Sequence, residues 1–364
     1  MRRAFTPGKL LVAFLTVVVT TAVLLFVLPD GGTYIFLPDE PHPVAPLVEV
    51  ENGEQPDDEG GLYFVDVIVR QPSIAERLLP GLFHDGASLV PAHAVNPTGL
   101  SEQDRRRVSL QVMTRSQQVA AAVALREAGY DVEARENGAF VVQVLPGTPA
   151  AGKLHPSDVI VELGGTRIDS LARLRSLLAA RRPGDEVAVA VLRGQERLPF
   201  RIELAADPDD RQRGVIGVLV EQSVDIVLPV DVEIDAGNVG GPSAGLAFAL
   251  GVLEELGRDV DRGLRVAVTG ELDLDGSVGA VGGIKQKTIG AREAGIQLFL
   301  VPSGDNAREA QRYADGMRVV PVQSFQQALR VLATSAENGQ NWRLSGGLKQ
   351  PEIAPFSFQT TLAS

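Results

Sequence analysis

The chain has no cysteine, so a thiol nucleophile, a disulfide framework and thiolate metal sites are all excluded. That absence assigns no compartment, because cysteine-free chains occur in every one. Histidine is nearly as scarce: His42, His84, His93 and His155 are the full set, and none follows residue 155. Basic residues are outnumbered, with a formal net charge of −12 and a pI near 4.9. Nucleic acid is a poor partner for such a chain, since phosphate binding wants a basic stripe. Three motifs are also missing. Without Gly-x-x-x-x-Gly-Lys-Ser/Thr there is no P-loop and no expected ATP chemistry. His-Glu-x-x-His and Ser-x-x-Lys are absent too, which removes a zinc peptidase of that type and the penicillin-binding type. No cofactor and no metal are expected.

At 364 residues, 45% of them hydrophobic, the chain has material for two or three units. Leu10 to Leu28 is an uncharged run, LLVAFLTVVVTTAVLLFVL. As a helix it spans roughly 30 Å, the thickness of a bilayer core. Arg2, Arg3 and Lys9 precede it, and Asp30, Asp39 and Glu40 follow. The positive-inside rule then makes residues 1–9 cytoplasmic, 10–28 a single-pass transmembrane helix at the cell membrane, and the rest extracytoplasmic. A cleaved signal peptide is the alternative, but its apolar region is usually about 7–15 residues and ends in small residues.

Residues 29–128 form the juxtamembrane region. Its first part, to residue 60, is rich in Pro, Gly and acids and reads as a solvated linker. Leu62–Val69 reads as one strand. Ser101, with Asp104 three residues on, opens a long helix that stops at Gly129. The polar side chains of that helix allow either a partner-subunit contact or packing on its own domain.

Residues 129–206 alternate strand, turn, strand, helix, strand. Gly138-Ala-Phe-Val-Val-Gln-Val144, Pro149-Ala-Ala-Gly152 and Asp158-Val-Ile-Val-Glu-Leu163 followed by Gly164-Gly165 together resemble a PDZ domain of the type found with bacterial proteases. The resemblance implies a PDZ-like β-sandwich or barrel with helices, binding extended peptides by strand addition. It places Asn137, Gly138, Ala139, Phe140 and Val141 along the groove, opposite the helix from Leu171.

Residues 207–335 hold the chemistry. Gly240-Gly-Pro-Ser-Ala-Gly245 puts Ser243 in the first turn of an apolar helix, with Pro242 suited to the first helical position. Free N–H groups and the helix dipole there favour an alkoxide or oxyanion. A serine that merely starts a helix is the competing reading. Gly-x-Ser-x-Gly is also the α/β-hydrolase elbow, but that fold needs a later histidine and none exists. Lysine is the remaining base. Gly282-Gly-Ile-Lys-Gln-Lys287 opens a second helix, where Lys285 shares a face with Thr288 and Ile289.

Gly-Gly-Pro-Ser243-Ala-Gly, Thr269-Gly-Glu and Gly-Gly-Ile-Lys285-Gln-Lys287, in that order, resemble the proteolytic domain of Lon, a Ser-Lys peptidase family. The implied fold is α+β multidomain overall, with an α/β proteolytic domain like the second domain of ribosomal protein S5. The resemblance implies Ser243 as nucleophile, Lys285 as general base, Thr269 as a supporting hydroxyl, and Gly241, Pro242 and Ala244 as the oxyanion loop. Lys287, on a different helix face, is the second choice. Gly240 stands where the family usually has Asp. Anchor, PDZ-like module and Lon-type domain together look like the membrane-anchored, PDZ-containing Lon-like peptidases of bacteria. This implies an ATP-independent serine endopeptidase acting on unfolded or extended polypeptides at the outer membrane face, as a homo-oligomer such as a hexamer. A PDZ scaffold or adaptor with an inactive Lon-like domain is the alternative. Residues 336–364 read as a disordered tail.

Overall fold

Four short β-rich segments far apart in the chain, Gly61–Phe64, Arg265–Val268, Leu298–Pro302 and Arg318–Val322, lie side by side as a parallel sheet. His42–Pro43 adds a fifth strand, antiparallel, at the Gly61–Phe64 edge. The computed structural model that shows this describes residues 7–53, 60–96, 102–207 and 210–344. Parallel strands must be covered on both faces, and these read as near-continuous apolar runs. Alternate residues feed two separate cores. Val266, Val268, Leu298 and Leu300 point to one, with Phe248 and Phe325; Ala267, Phe299 and Val301 point to the other, with Ile284 and Ala291. The helix Gly245–Glu255, every residue of which is buried, covers the first face. The helix Ile284–Glu293 covers the second.

A second sheet runs in the order Glu196–Glu203, Glu186–Arg193, Val159–Leu163, Glu133–Val144, Val218–Val227, all neighbours antiparallel. With the helix Leu171–Ala179 it encloses its own core, including Val141, Ile160, Leu163, Leu174, Val189 and Ile202. This unit interrupts the first one. The strand Gly61–Phe64 and the long helix Glu102–Glu127 precede it in the chain, yet both pack into the three-layer unit that resumes after it.

The boundary drawn at residue 207 is therefore not the border of a folding unit. Residues 29–60 are not a plain linker either. Thr33–Pro38 is the central strand of a small sheet between Val67–Arg70 and Ser88–Pro91, and Val48–Val50 pairs with Val232–Ile234. Pro- and Gly-rich composition masked these strands because each is short and finds its partners across the fold. The Leu62–Val69 run breaks at Val65–Asp66, and its halves enter different sheets. The long helix packs on its own chain through Ala120, Val123 and Ala124. The last helix, Phe325–Leu344, continues through 336–344, where a disordered tail was expected; residues 345–364 and the Ser101 cap lie outside the described residues.

The first helix runs Pro7–Val27, 21 residues. Among the described residues no helix is long and apolar enough to cross a membrane.

Glu254, on the helix Gly245–Glu255, is 5% exposed, and its only described relief is a hydrogen bond from the Asp261 N–H at 3.3 Å. Burial, and then the Asp261 carboxylate, push its carboxyl up to about 8. A folded value above the ordinary 4.5 means the folded state holds the proton more tightly, so stability falls as pH rises from 4.5 to 8. Glu254→Gln keeps the acceptor and removes the charge. Urea denaturation should find it more stable than wild type at pH 8, by a few kcal/mol, and equal to wild type below pH 4.5.

Candidate active site

Gly241 takes φ +92°, a left-handed conformation suited to glycine, and turns the chain into a short 3-10 turn, Pro242–Ala244, ahead of the buried helix. Three contacts from the long helix fix this turn. The Ser109 carbonyl accepts the Gly241 N–H at 3.0 Å, the Ser116 hydroxyl donates to the Pro242 carbonyl at 3.2 Å, and Arg106 donates to the Asn238 side chain at 2.8 Å. A side chain at 240 would collide with Ser109, whose Oγ lies 2.2 Å from where a Cβ would sit. Glycine at this position is thus a packing requirement of the long helix. Ala244 is buried in the core, Pro242 has no N–H, and the Gly241 N–H is already used. Of this loop only the Ser243 amide precedes the first hydrogen-bonded turn without these commitments, which limits what Gly241, Pro242 and Ala244 contribute to an oxyanion site.

The strand Arg265–Val268 ends at Thr269, fully buried. Its hydroxyl donates to the Ser243 carbonyl at 3.1 Å, and the Gly270 N–H reaches the same oxygen at 2.9 Å. This ties the Ser243 turn to the centre of the parallel sheet.

The lysine that meets Ser243 is Lys287, and the assignment of Lys285 is corrected. Lys287 Nζ is 2.7 Å from Ser243 Oγ and donates to Thr269 Oγ1 at 3.0 Å. Lys285 Nζ instead donates to the Ala87 carbonyl at 3.1 Å and the Ser88 hydroxyl at 3.3 Å, over the Tyr313 ring. The reason is helical geometry. Residues two apart are about 200° apart around a helix. Ile284 and Ala291 anchor the inward face, and Lys287 and Thr288 fall on it at i+3 and i+4. Spacing in the sequence did not separate the two lysines: position 287 has Ile284 and Ala291 at i±3 or i±4, and position 285 has Val281 and Ile289. Lys285 and Gln286, which donates to the Gly86 carbonyl at 3.0 Å, pin residues 86–88 onto the helix.

Burial pushes the Lys287 amine down to about 8, partly offset by the Asp66 carboxylate. The side chain is 3% exposed. Thr269 gives its proton to a carbonyl, so its oxygen accepts from Lys287, and the same amine stands within hydrogen-bond distance of Ser243 Oγ. That is the arrangement a lysine base needs.

Ser243 and Lys287 open into a cleft of about 550 Å³, also lined by Asp39, His42, Asp66, Asn238 and Gly283. Asp39, His42 and Asp66 bring one nitrogen and two carboxylate oxygens within 4.8 Å. They form an acid–imidazole cluster, with His42 Nε2 3.3 Å from Asp66 and 3.7 Å from Asp39. Nothing in the sequence pointed to them, because they come from segments read as linker and strand.

The expected peptide groove is also corrected. Asn137, Gly138, Ala139, Phe140 and Val141 lie on the strand Glu133–Val144, which is paired on both sides: Phe140 opposes Val159 on one and Glu221 on the other. A strand without a free edge cannot accept a peptide. The sheet's two edges are Glu196–Glu203 and Val218–Val227, and the helix Leu171–Ala179 approaches the second; the Leu171 N–H donates to Gln222 Oε1 at 3.0 Å. Val218–Val227 lies beyond residues 129–206 and joins their sheet from the following segment. Chain order concealed it, since its sheet neighbour lies about eighty residues earlier.

Residues 128–204 match the family model of the PDZ domain, and residues 221–335 match that of the Lon protease (S16) C-terminal proteolytic domain. The Lon protease of Chloroflexus aggregans is 34% identical over 122 residues, 31% of this chain and 14% of that protein. That of Mesomycoplasma hyopneumoniae is 36% identical over 91 residues, 24% of this chain and 10% of that protein. The chain thus spans a small fraction of the length of these relatives. Among solved structures, the PDZ domain of an SdrC-like protein of Listeria monocytogenes is 27% identical, covering 23% of this chain and 87% of that one, at a TM-score of 0.22. The chain carries a PDZ domain and a Lon-type proteolytic domain of mixed α/β architecture.

A buried lysine with a lowered pKa costs stability wherever the unfolded chain is protonated and the folded one must either desolvate the charge or lose it. From about 8 to 10.5 the unfolded state binds more protons, so stability rises with pH across that window. Lys287→Met should therefore raise the thermal midpoint at pH 7, by about 3 kcal/mol in free energy. The gain should shrink toward pH 10.5, as followed by calorimetry.

Proposed function

We propose that the protein is a serine endopeptidase with a Ser243–Lys287 dyad. The observation that carries this reading is the 2.7 Å approach of Lys287 Nζ to Ser243 Oγ in a buried setting that favours the neutral amine. Ser243 Oγ attacks a peptide carbonyl carbon as its proton passes to Lys287. The carbonyl electron pair moves onto oxygen, near the Ser243 amide. The Lys287 ammonium then protonates the leaving nitrogen, the C–N bond breaks, and water resolves the acyl-enzyme by the reverse proton path. Thr269 keeps the amine aimed.

No P-loop stands in the sequence, so the reaction is proposed to need no nucleotide and to favour unfolded or extended polypeptides. The sheet edge at Val218–Val227 is the proposed docking strand for such chains. The enzyme is further proposed to be bacterial and to sit on the outer face of a membrane, held by residues 10–28. Leu11, Phe14, Leu15 and Phe26 are exposed on the first helix. Leu78, Leu79 and Leu82 are exposed beside its end, where Phe83 packs edge-on against Phe26 at 5.5 Å. A contiguous apolar surface of this kind fits lipid. A ring-like homo-oligomer completes the proposal; sedimentation velocity on the detergent-solubilised chain measures it.

Degradation of β-casein without nucleotide tests the chemistry. Ser243→Ala and Lys287→Ala should each lose on the order of a thousandfold in kcat/KM, while Lys285→Ala stays within a few-fold of wild type. Wild-type kcat/KM should climb as pH rises through about 8, where Lys287 becomes neutral. Cleavage that survives in Ser243→Ala would end the peptidase reading.

A further inference from the structure

The Lys287 ammonium formed during acylation is buried beside two hydroxyls, neither of which carries charge. Among the described residues one opposite charge acts on it, Asp66. Asp66 sits where the chain leaves one sheet for another, between the strands Gly61–Phe64 and Val67–Arg70. That crossing is pressed against the start of the lysine helix. A Cβ on Gly283, the residue before the helix, would lie 2.6 Å from Val67 Cγ2, and one on Gly290 would lie 2.1 Å from the Asp39 carbonyl. Glycine at both places lets the segments bearing Asp66 and Asp39 lie directly on the helix that carries Lys287.

The acid is also braced from behind. His42 Nε2 is 3.3 Å from Asp66 Oδ1, and its ring stacks on Phe64 with centroids 5.0 Å apart. Phe64 in turn packs on Phe248 of the helix that follows Ser243, at 5.6 Å. The cluster is therefore keyed to both halves of the dyad.

We propose that Asp66, braced by His42 and flanked by Asp39, is a positioning residue that supplies the counter-charge to the Lys287 ammonium. The inference rests on the Ser243–Lys287 reading. Its balance is that of the acylation step: the proton leaves Ser243 Oγ and arrives at Lys287 Nζ, and Asp66 supplies the opposing charge. Burial and then the Asp39 carboxylate raise the Asp66 pKa, and His42 and Lys287 oppose that rise. The charged and titratable groups facing Asp66 are Asp39, His42 and Lys287; those facing Lys287 are Asp66, with the neutral Ser243 and Thr269. An anion near the amine favours its charged form at rest as well as in the transition state. Removing that anion has two opposed effects: the resting lysine deprotonates at lower pH, and the ammonium formed in the reaction is less well stabilised.

The test compares wild type, Asp66→Asn and Asp66→Glu, as full chains in detergent. Carbon-13 NMR of ε-labelled lysine, with the Lys287 signal identified by its loss in Lys287→Arg, gives the titration midpoint without any turnover. Peptide cleavage gives the pH profile of kcat and KM. Asp66→Asn should move both the NMR midpoint and the acid limb down by about half a pH unit or more, and should lower plateau kcat about tenfold with KM little changed. Asp66→Glu should restore most of the midpoint. Should the asparagine variant fail to fold, Asp66→Ser removes the same charge and is read in the same way. A midpoint that stays at the wild-type value, with activity uniformly reduced, overturns the proposal and leaves a merely structural Asp66. Ser243→Ala tests the peptidase reading separately, and if that reading fails the NMR midpoint still decides on Asp66.

Discussion

A primary amine buried against two hydroxyls is the constraint around which this protein is arranged. Lys287 is 3% exposed, and burial alone lowers its affinity for a proton. Such a group is costly to bury, so the surroundings must fix it closely. The fixing comes from three directions: the turn at Ser243, the strand end at Thr269 and the inward face of the lysine helix. Each depends on the parallel sheet. The strand Arg265–Val268 places Thr269, and the helices Gly245–Glu255 and Ile284–Glu293 cover opposite faces of the same sheet. Serine and lysine therefore meet beyond the C-terminal end of its central strand, from two sides.

The long helix Glu102–Glu127 connects this arrangement to the PDZ domain. It holds the Ser243 turn through Ser109 and Ser116, and Arg115 on the same helix donates to the Gln222 carbonyl and lies 4.3 Å over the Phe140 ring. One rigid element thus touches both the PDZ sheet and the backbone beside Ser243. The PDZ domain is an insertion into the unit built on the parallel sheet, since strands and helices of that unit lie on either side of it in the chain.

Local patterns were legible wherever a motif and its contacts lie close together in sequence. Gly-Gly-Pro-Ser-Ala-Gly gave the turn, Pro242 the helix start, and the Gly282-Gly283 pair the second helix start. The Lys285 assignment failed because both lysines have apolar neighbours at helical spacing, and packing on the sheet, rather than spacing, selects Lys287. The groove assignment failed for another reason. Whether a strand has a free edge depends on which distant strand pairs with it, and Val218–Val227 takes that edge from outside the expected module.

What the sequence by itself determined was chemistry and local form: no thiol, no late histidine, a serine at a helix start, a lysine at another, and an apolar helix near the N-terminus. What only the tertiary structure decided was adjacency. It chose between two lysines two residues apart, because a helix sends them to opposite faces and the sheet accepts one face. It also brought Asp39, His42 and Asp66 to the dyad from about two hundred residues away, a juxtaposition set by sheet pairing and close packing rather than by any spacing in the chain.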